Sequence, residues 1–351
     1  MAVTAESLKV LEQMRKQLAS MTTTQTVALT RAWVEAWDVL QPEFNAAILE
    51  LLAAAKNGRV PASVVARNIR LRDTIQQARA MLDELAGATN VQVTTDVGQA
   101  MLDALDHHEA LVRSQLPPGQ AGAGISFNRV SPEAVAAMVE RSTQSIHRFT
   151  RPLPADVERM MKQQLIRGIT VGDNPRRTAA RILKLSQGEF NGGLTRALNI
   201  ARTETLDAHR AATKSSEATN TAILEEWEWH ASLSARTCPS CLSKHGTRHP
   251  LDEEGPNDHP SGRCSRVTIT KSWADLGFTN IPEPASLTQS SEDWYKNLTP
   301  ESQVAIMGKA RAELLANGDI KWADLSRRQE NPGWRPSYNA TPVKDLRPVG
   351  E

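Results

Sequence analysis

The chain has 351 residues and carries 41 Lys and Arg against 40 Asp and Glu, so its net charge is +1 with histidine neutral. This balance excludes a globally basic nucleic-acid-binding protein and a protein dominated by an acidic tail. The length predicts about two domains. Aromatic residues make up only 4% of the chain, so we expect a mainly aliphatic, helical core.

The first 116 residues are predicted to form an elongated helical N-terminal region. Four stripes of apolar residues at helical spacing indicate four amphipathic helices. Breaks are predicted at Pro61 and at Gly87 to Asn90. No run of about 18 apolar residues occurs, so no membrane span is expected. The stripes run from Leu8 to Leu18, Trp33 to Leu51, Leu71 to Leu85 and Met101 to Val112.

Residues 117–131 are predicted to be a linker, because Pro117 to Gly124 is rich in Pro and Gly. A domain is expected over 132–272, and its first helix has Ser131 as N-cap and Pro132 in its first turn. The other elements expected there are helices over about 173–188 and 194–216, and strands over 225–232 and 266–271.

Residues 273–351 are expected to contain one helix, from about Pro300 to Ala316, with Thr299 as its N-cap. The tail from Asn331 is rich in proline and is predicted to be extended or disordered unless a partner holds it. Together these elements predict a mainly α fold with a small α+β Cys-rich element.

All three cysteines of the chain lie within 27 residues: Cys238, Cys241 and Cys264. Three thiols cannot all pair, and the N-terminus lacks the apolar core of a secretory signal. We therefore expect a reducing compartment, where clustered cysteines more often bind metal than form disulfides.

The spacing within this cluster is typical of a zinc site. Cys238-Pro-Ser-Cys241 has the form of a zinc knuckle, and His259 and Cys264 provide a second pair for a tetrahedral Cys₃His site. Four protein ligands leave no open position, so a structural zinc is favoured over a catalytic metal. The clustering of all three cysteines of the chain favours a metal over unliganded thiols. The rival fourth ligands are His245 and His249.

Three segments of the sequence then occur in a characteristic order. The first contains Gly168, Gly172 and Pro175, and the second contains Arg202-Thr203-Glu204 followed by Arg210. The third contains Trp229, the Cys238 to Cys241 knuckle and the run from His259 to Cys264. This order resembles the phage Mu F-like, head morphogenesis family of minor capsid proteins over about Pro152 to Thr270. One departure is Gly262, which stands where the family commonly has a further cysteine.

The resemblance implies a minor head protein that is made in the host cytoplasm and located in the virion, inside the capsid at the portal vertex. The implied partners are the portal protein, the major capsid or scaffolding protein and packaged double-stranded DNA. Such proteins are not generally enzymes. Two alternatives remain open: an HNH-like or toxin-type enzyme that uses Asp258 and His259, and a zinc-stabilised DNA-binding adaptor.

Several polar and charged residues are expected to have structural roles in packing and ion pairing. Arg202 and Glu204 lie two residues apart on a predicted helix, so each is expected to reach a different neighbour, and one of them could fix the Cys loop. His108 is expected to be a core histidine. Residues 151–220 carry 12 Lys and Arg against seven Asp and Glu, which is compatible with contact to DNA phosphates or with an ordinary solvated helix face.

Overall fold

The structure is a computed structural model that describes residues 3–55, 60–119, 124–150, 152–169 and 175–346. As predicted, the fold is mainly helical with small antiparallel sheets. The helices are α1 (Ala5–Ala53), α2 (Ala62–Arg67), α3 (Ile69–Arg113), α4 (Pro132–Thr150), α5 (Leu153–Ile169), α6 (Pro175–Ala218), α7 (Pro239–Lys244), α8 (Ser291–Lys296), α9 (Pro300–Met307) and α10 (Lys309–Asn317). The strands are β1 (Leu224–His230), β2 (Arg248–Pro250), β3 (Ser265–Thr270), β4 (Ser326–Gln329) and β5 (Ser337–Ala340).

The long helices are longer than the sequence predicted. The first two apolar stripes lie on α1 and the last two on α3, so the break predicted at Gly87 to Asn90 is wrong. The two helices predicted over 173–188 and 194–216 are likewise one helix, α6, which continues through Gly188. Packing along a helix outweighs the cost of about 1 kcal/mol that an internal glycine carries. No helix in the described ranges is long and apolar enough to cross a membrane.

The chain forms two compact units. We call Ala19–Val97 with Val139–Thr205 the helical unit, and Met1–Leu18, Gly98–Met138 and Leu206–Glu351 together the sheet unit. Each unit is assembled from segments that are distant in the sequence. The predicted linker at 117–131 and the domain limits drawn from it remain predictions.

The helical unit has an apolar core built on the predicted stripes. Trp33, Trp37 and Phe190 lie against one another, with ring centroids 6.1 Å apart for Trp33–Phe190 and 5.3 Å for Trp37–Phe190. The indole N–H of Trp33 donates to the carbonyl oxygen of Phe190 at 3.1 Å. Helix α5 packs closely against α6 at Gly193. A Cβ at this position would lie only 2.8 Å from Val157 Cγ2.

The sheet unit contains a three-stranded antiparallel sheet in the order β2–β1–β3. The sequence predicted β1 and β3 and missed β2, a three-residue strand within the polar loop. Trp227 and Trp229 are buried and lie in one cluster with Cys241 and Cys264, which confirms that the tryptophans face the core. The other face of β1 carries the buried side chains of Glu228 and His230.

The C-terminal region differs from the prediction, which included neither the short helix α8 nor the strand β4. The single helix expected over 300–316 is split into α9 and α10 at Gly308, whose φ of 75° cannot continue a helix. Thr299 caps α9 as predicted, since its hydroxyl accepts the N–H of Ser302 at 3.3 Å. The tail is extended at β5, but this chain holds it through an antiparallel pairing with β4.

Candidate metal centre

Three of the predicted ligands meet in the sheet unit. The Sγ atoms of Cys238 and Cys241 and a ring nitrogen of His259 all lie within 4.8 Å of one another. The knuckle forms because Cys238 is the N-cap of α7: its sulfur accepts the N–H of Cys241 at 3.4 Å, and Pro239 occupies the first turn. A tetrahedral zinc with Zn–S bonds of about 2.3 Å holds two sulfurs roughly 3.8 Å apart. The cluster therefore has the dimensions of a zinc site.

The same three groups shift one another's pKa values through hydrogen bonds. A hydrogen bond from Cys241 is the main cause that lowers the pKa of the Cys238 thiol to about 4, and His259 lowers it further. The pKa of Cys241 is raised, first by this bond to Cys238. The bond to Cys238 also raises the pKa of His259 to about 9. The lowered pKa of Cys238 favours the thiolate, which is the form that binds metal.

His259 also has the support that metal-binding histidines commonly have. Its Nδ1 lies 3.0 Å from the carbonyl oxygen of Pro260, and ligating imidazoles usually donate their other N–H to such an acceptor. Cys264 is 5% exposed and interacts through its thiol with Cys241. All three cysteines are free thiols. The soft sulfur and nitrogen donors suit zinc, and Cys264 as fourth ligand remains a prediction.

The two rival histidines have other partners. His245 accepts the N–H of Ala231 on Nδ1 at 3.0 Å and faces the carbonyl oxygen of Gln289 with Nε2 at 3.1 Å. His249 bonds Glu253 through Nδ1 at 2.9 Å and Thr247 through Nε2 at 3.0 Å. Both nitrogens of each ring are thus engaged, and His259 is favoured as the histidine ligand.

A buried arginine of the second family segment, whose role the sequence did not predict, fixes the loop that carries His259 and Cys264. Arg210, on α6, donates to the carbonyl oxygens of Gly262 at 2.8 Å and Cys264 at 2.7 Å. It also pairs with Asp258 at 2.9 Å and with Asp207 at 2.7 Å. Burial alone would lower the pKa of Arg210, but Asp258 and Asp207 raise it above its usual value. The guanidinium therefore stays charged and holds the loop.

Asp258 stabilises this loop through hydrogen bonds to its buried carboxylate. Its side chain is fully buried, and Oδ2 accepts the backbone N–H of Cys264 at 3.1 Å in addition to Arg210. Burial raises its pKa, and Arg210 acts in the opposite direction. The nuclease alternative needs Asp258 and His259 at an open phosphate site. The observed Asp258 is enclosed and bonded, so the geometry gives that alternative no support.

The arrangement also explains Gly262. A Cβ at this position would overlap the carboxylate of Asp258 and lie 2.7 Å from the carbonyl oxygen of His259. The buried aspartate and a side chain at residue 262 therefore exclude each other. The departure from the family pattern at Gly262 is consistent with the Asp258–Arg210 pair that occupies this space.

A second buried ion pair supports the sheet beside the centre. Arg266 on β3 and Glu217 on α6 have fully buried side chains, with 2.7 Å between Nη2 and Oε2. Arg266 also donates to the carbonyl oxygens of Leu251, Glu253 and Gly255, and its guanidinium lies 4.3 Å from the Trp227 ring centroid. Burial raises the pKa of Glu217, against the effect of Arg266. Sequence periodicity cannot reveal this pair, because its members are 49 residues apart.

The remaining residues of the three segments have helical positions. Gly168 lies in the last turn of α5 and Pro175 begins α6, whereas Gly172 is outside the described residues. Thr203 and Glu204 are buried on α6, and Arg202 lies 3.5 Å from the Thr26 hydroxyl. Arg210, two turns further along α6, binds the carbonyl oxygens of the Cys loop.

Residues 159–267 match the family model described as "Phage Mu protein F like protein". The chain carries a Phage Mu F-like domain. The matched segment contains Cys238, Cys241, His259 and Cys264, as well as Arg210 and Asp258. Comparisons with curated proteins and with solved structures gave no match.

The Mu F-like family is a structural phage head protein family and not a known enzyme family. A role in phage head morphogenesis follows from that family. The Cys/His cluster within the domain could hold a metal ion.

Proposed function

We propose that this chain is a minor capsid protein of a tailed phage, located in the virion at low copy number, inside the capsid near the portal vertex. The observation that carries the proposal is the Mu F-like match over 159–267. The proposed partners are the portal protein and the major capsid or scaffolding protein. The role is one of assembly through shape and contact, without a catalytic step.

Within this function, Cys238, Cys241, His259 and Cys264 hold a structural zinc. The convergence of three donors within 4.8 Å supports this assignment, as does the enclosure of the loop by Arg210 and Asp258. The binding free energy of a metal can supply folding free energy directly.

Contact with packaged DNA would use the remaining basic residues of 151–220. Among the basic residues of 151–220, Arg210 is buried in ion pairs, and Arg196 pairs with Asp156 at 2.9 Å. These two side chains are therefore committed to carboxylates of the same chain. Any contact with DNA phosphates would be non-specific and sensitive to salt.

The test is quantitative mass spectrometry of purified virions from the phage that encodes this chain, with the portal protein as internal standard. We expect a low but non-zero ratio of this chain to portal, in both full and DNA-free heads. Cross-linking before digestion should yield peptides that join this chain to the portal. Absence of the chain from every purified particle would refute a virion component.

A further inference from the structure

The C-terminal segment Asn331–Ala340, which we call the clamp, lies against the candidate metal centre. Its backbone contacts the turn that precedes His259: the N–H of Tyr338 donates to the carbonyl oxygen of Asn257 at 2.7 Å, and residues 258 and 338 form a parallel β-bridge. The clamp thus adds backbone hydrogen bonding from another part of the chain to a loop that has little regular structure of its own.

Arg335 is the main side chain of the clamp. Its Nε and Nη2 make a bidentate pair with Asp207 at 2.7 and 2.8 Å. Its Nη1 donates to the carbonyl oxygen of Asp258 at 2.8 Å. Asp258 is the residue immediately before His259, so Arg335 fixes the backbone from which the histidine ligand projects. Bidentate arginine–carboxylate pairs give geometric specificity as well as energy.

The clamp and its paired strand also contact Trp229 and α7, the helix that carries Cys241. The Tyr338 ring stands edge-on to Trp229, with centroids 5.7 Å apart, and the ammonium of Lys244 at the end of α7 lies 4.0 Å from its centroid. Ser326 on β4 bonds Ser240 on α7 through their hydroxyls at 2.7 Å. Helix α7 carries Cys241 and begins directly after Cys238, so the C-terminal hairpin touches both halves of the centre.

The charges of the clamp are matched to those of the loop. Arg210 and Arg335 share Asp207 and Asp258 as partners, so two cations face two anions. Replacement of Arg335 by a neutral residue leaves this group with an excess negative charge. Replacement by Lys keeps the charge but cannot reproduce the bidentate pair together with the bond to the Asp258 carbonyl.

We propose that Arg335 is a positioning residue for the metal centre, and that docking of the clamp and metal binding at Cys238, Cys241 and His259 are thermodynamically coupled. This inference rests on the structural zinc of the proposed function. Coupling of this kind is reciprocal: the clamp raises metal affinity, and the metal stabilises the docked clamp by the same factor.

The test uses the full chain, stripped of metal under reducing conditions and titrated with Co²⁺, whose thiolate absorption reports binding, and then with Zn²⁺ in competition. We expect Arg335→Lys and Arg335→Gln to weaken metal binding roughly tenfold or more, as loss of a residue that orients a ligand typically does. The matched control is Arg327→Gln, because Arg327 lies on β4 of the same hairpin and pairs with Asp345 instead. It should bind metal like the unmodified chain.

A second measurement needs no substitution. Amide hydrogen exchange of residues 331–340 in the unmodified chain should slow when metal is bound. If the chain binds metal but Arg335→Lys keeps full affinity, or exchange in the clamp is the same with and without metal, the coupling is refuted and the zinc site stands. If the unmodified chain binds neither Co²⁺ nor Zn²⁺, both the zinc site and the coupling are refuted.

Discussion

The cores of the helical unit and of the sheet unit are built in different ways. The helical unit buries apolar side chains such as Trp33, Trp37 and Phe190 in one continuous cluster. Around the metal centre, the sheet unit instead buries ion pairs, and the clearest are Arg210–Asp258 and Arg266–Glu217. Apolar burial stabilises without directional requirements, whereas a buried ion pair is tolerated only when its hydrogen bonds are satisfied.

This difference implies different sensitivities. The helical core should respond to lost volume and be indifferent to metal. The region around the Cys/His cluster should respond to lost partners, to pH and to metal removal. The following substitutions test this contrast, from the largest expected effect to the smallest.

Trp33→Ala should cost about 3–5 kcal/mol in the free energy of unfolding, because it removes a large side chain that is 1% exposed and its bond to Phe190. Urea unfolding with and without a chelator should give the same loss. Val34→Ala on the same helix is the control, since Val34 is half exposed and should change stability by less than about 0.5 kcal/mol. A loss that depends on metal would break the contrast.

Arg266→Met should cost about 3–5 kcal/mol, because it leaves the Glu217 carboxylate buried without its cation. The double variant Arg266→Met/Glu217→Met removes both charges and should be more stable than Arg266→Met alone. Urea unfolding of both variants and of Glu217→Met completes the cycle. Additive losses would mean that the pair is not coupled as its geometry indicates.

Gly262→Cys restores the cysteine that the family commonly has, yet we expect it to destabilise the chain by about 1–3 kcal/mol, because the new side chain overlaps Asp258. It should not raise metal affinity. Gly188→Ala is the control: Gly188 lies on α6 with open space around it, so alanine should stabilise by about 0.5–1 kcal/mol. A more stable Gly262→Cys variant with tighter metal binding would refute the assigned role of Gly262.

The buried histidines of the sheet unit predict a loss of stability in acid. Burial is the main cause that lowers the pKa of His108 and of His209 to about 3. The unfolded chain takes up these protons near pH 6.5 and the folded chain does not. The contribution of these neutral histidines to the free energy of unfolding is therefore fully present above pH 6.5. It falls as the pH drops from 6.5 toward 3, by about 1 kcal/mol per pH unit for each histidine.

Urea unfolding of the metal-stripped chain at pH 7, 6 and 5 measures this dependence without the contribution of metal binding, and comparison with His108→Gln isolates the part due to His108. His108→Gln should reduce the slope, while the exposed His147→Gln should leave it unchanged. An unchanged slope in His108→Gln would contradict a neutral buried His108.

The position of His108 confirms the sequence prediction of a core histidine: it is 2% exposed, and its Nδ1 bonds the Ser216 hydroxyl at 2.7 Å.

The sequence was informative where structure follows a local period. The stripe that contains Trp33 and Trp37 is buried as predicted, and the alternation of Trp227 and Trp229 places both in the core. The CxxC spacing, with His259, pointed to residues that the structure brings together in a cluster that could hold a metal ion. In each case the residues that act together are close in the chain, so helical, strand or knuckle spacing is sufficient to recognise them.

The sequence was uninformative where structure depends on distant pairs. Arg210 and Asp258 are 48 residues apart, and Arg335 and Asp207 are 128 apart. No helical or strand spacing links such distant partners. The proline-rich tail, which was predicted to be extended or disordered, is held in place by the pairing of Arg335 with Asp207. The merging of helices through Gly188 has the same origin, because packing on a helix face outweighs the local preference of one residue.

The most direct test of the account is the metal content of the purified full chain, measured by elemental mass spectrometry after preparation under reducing conditions with zinc supplied. We predict about one zinc per chain, its loss in Cys241→Ser, and faster hydrogen exchange after chelation in residues 224–270 but not in α1 between Ala19 and Ala53. A chain that contains no metal, and whose exchange is the same before and after chelation, would contradict a zinc-stabilised domain.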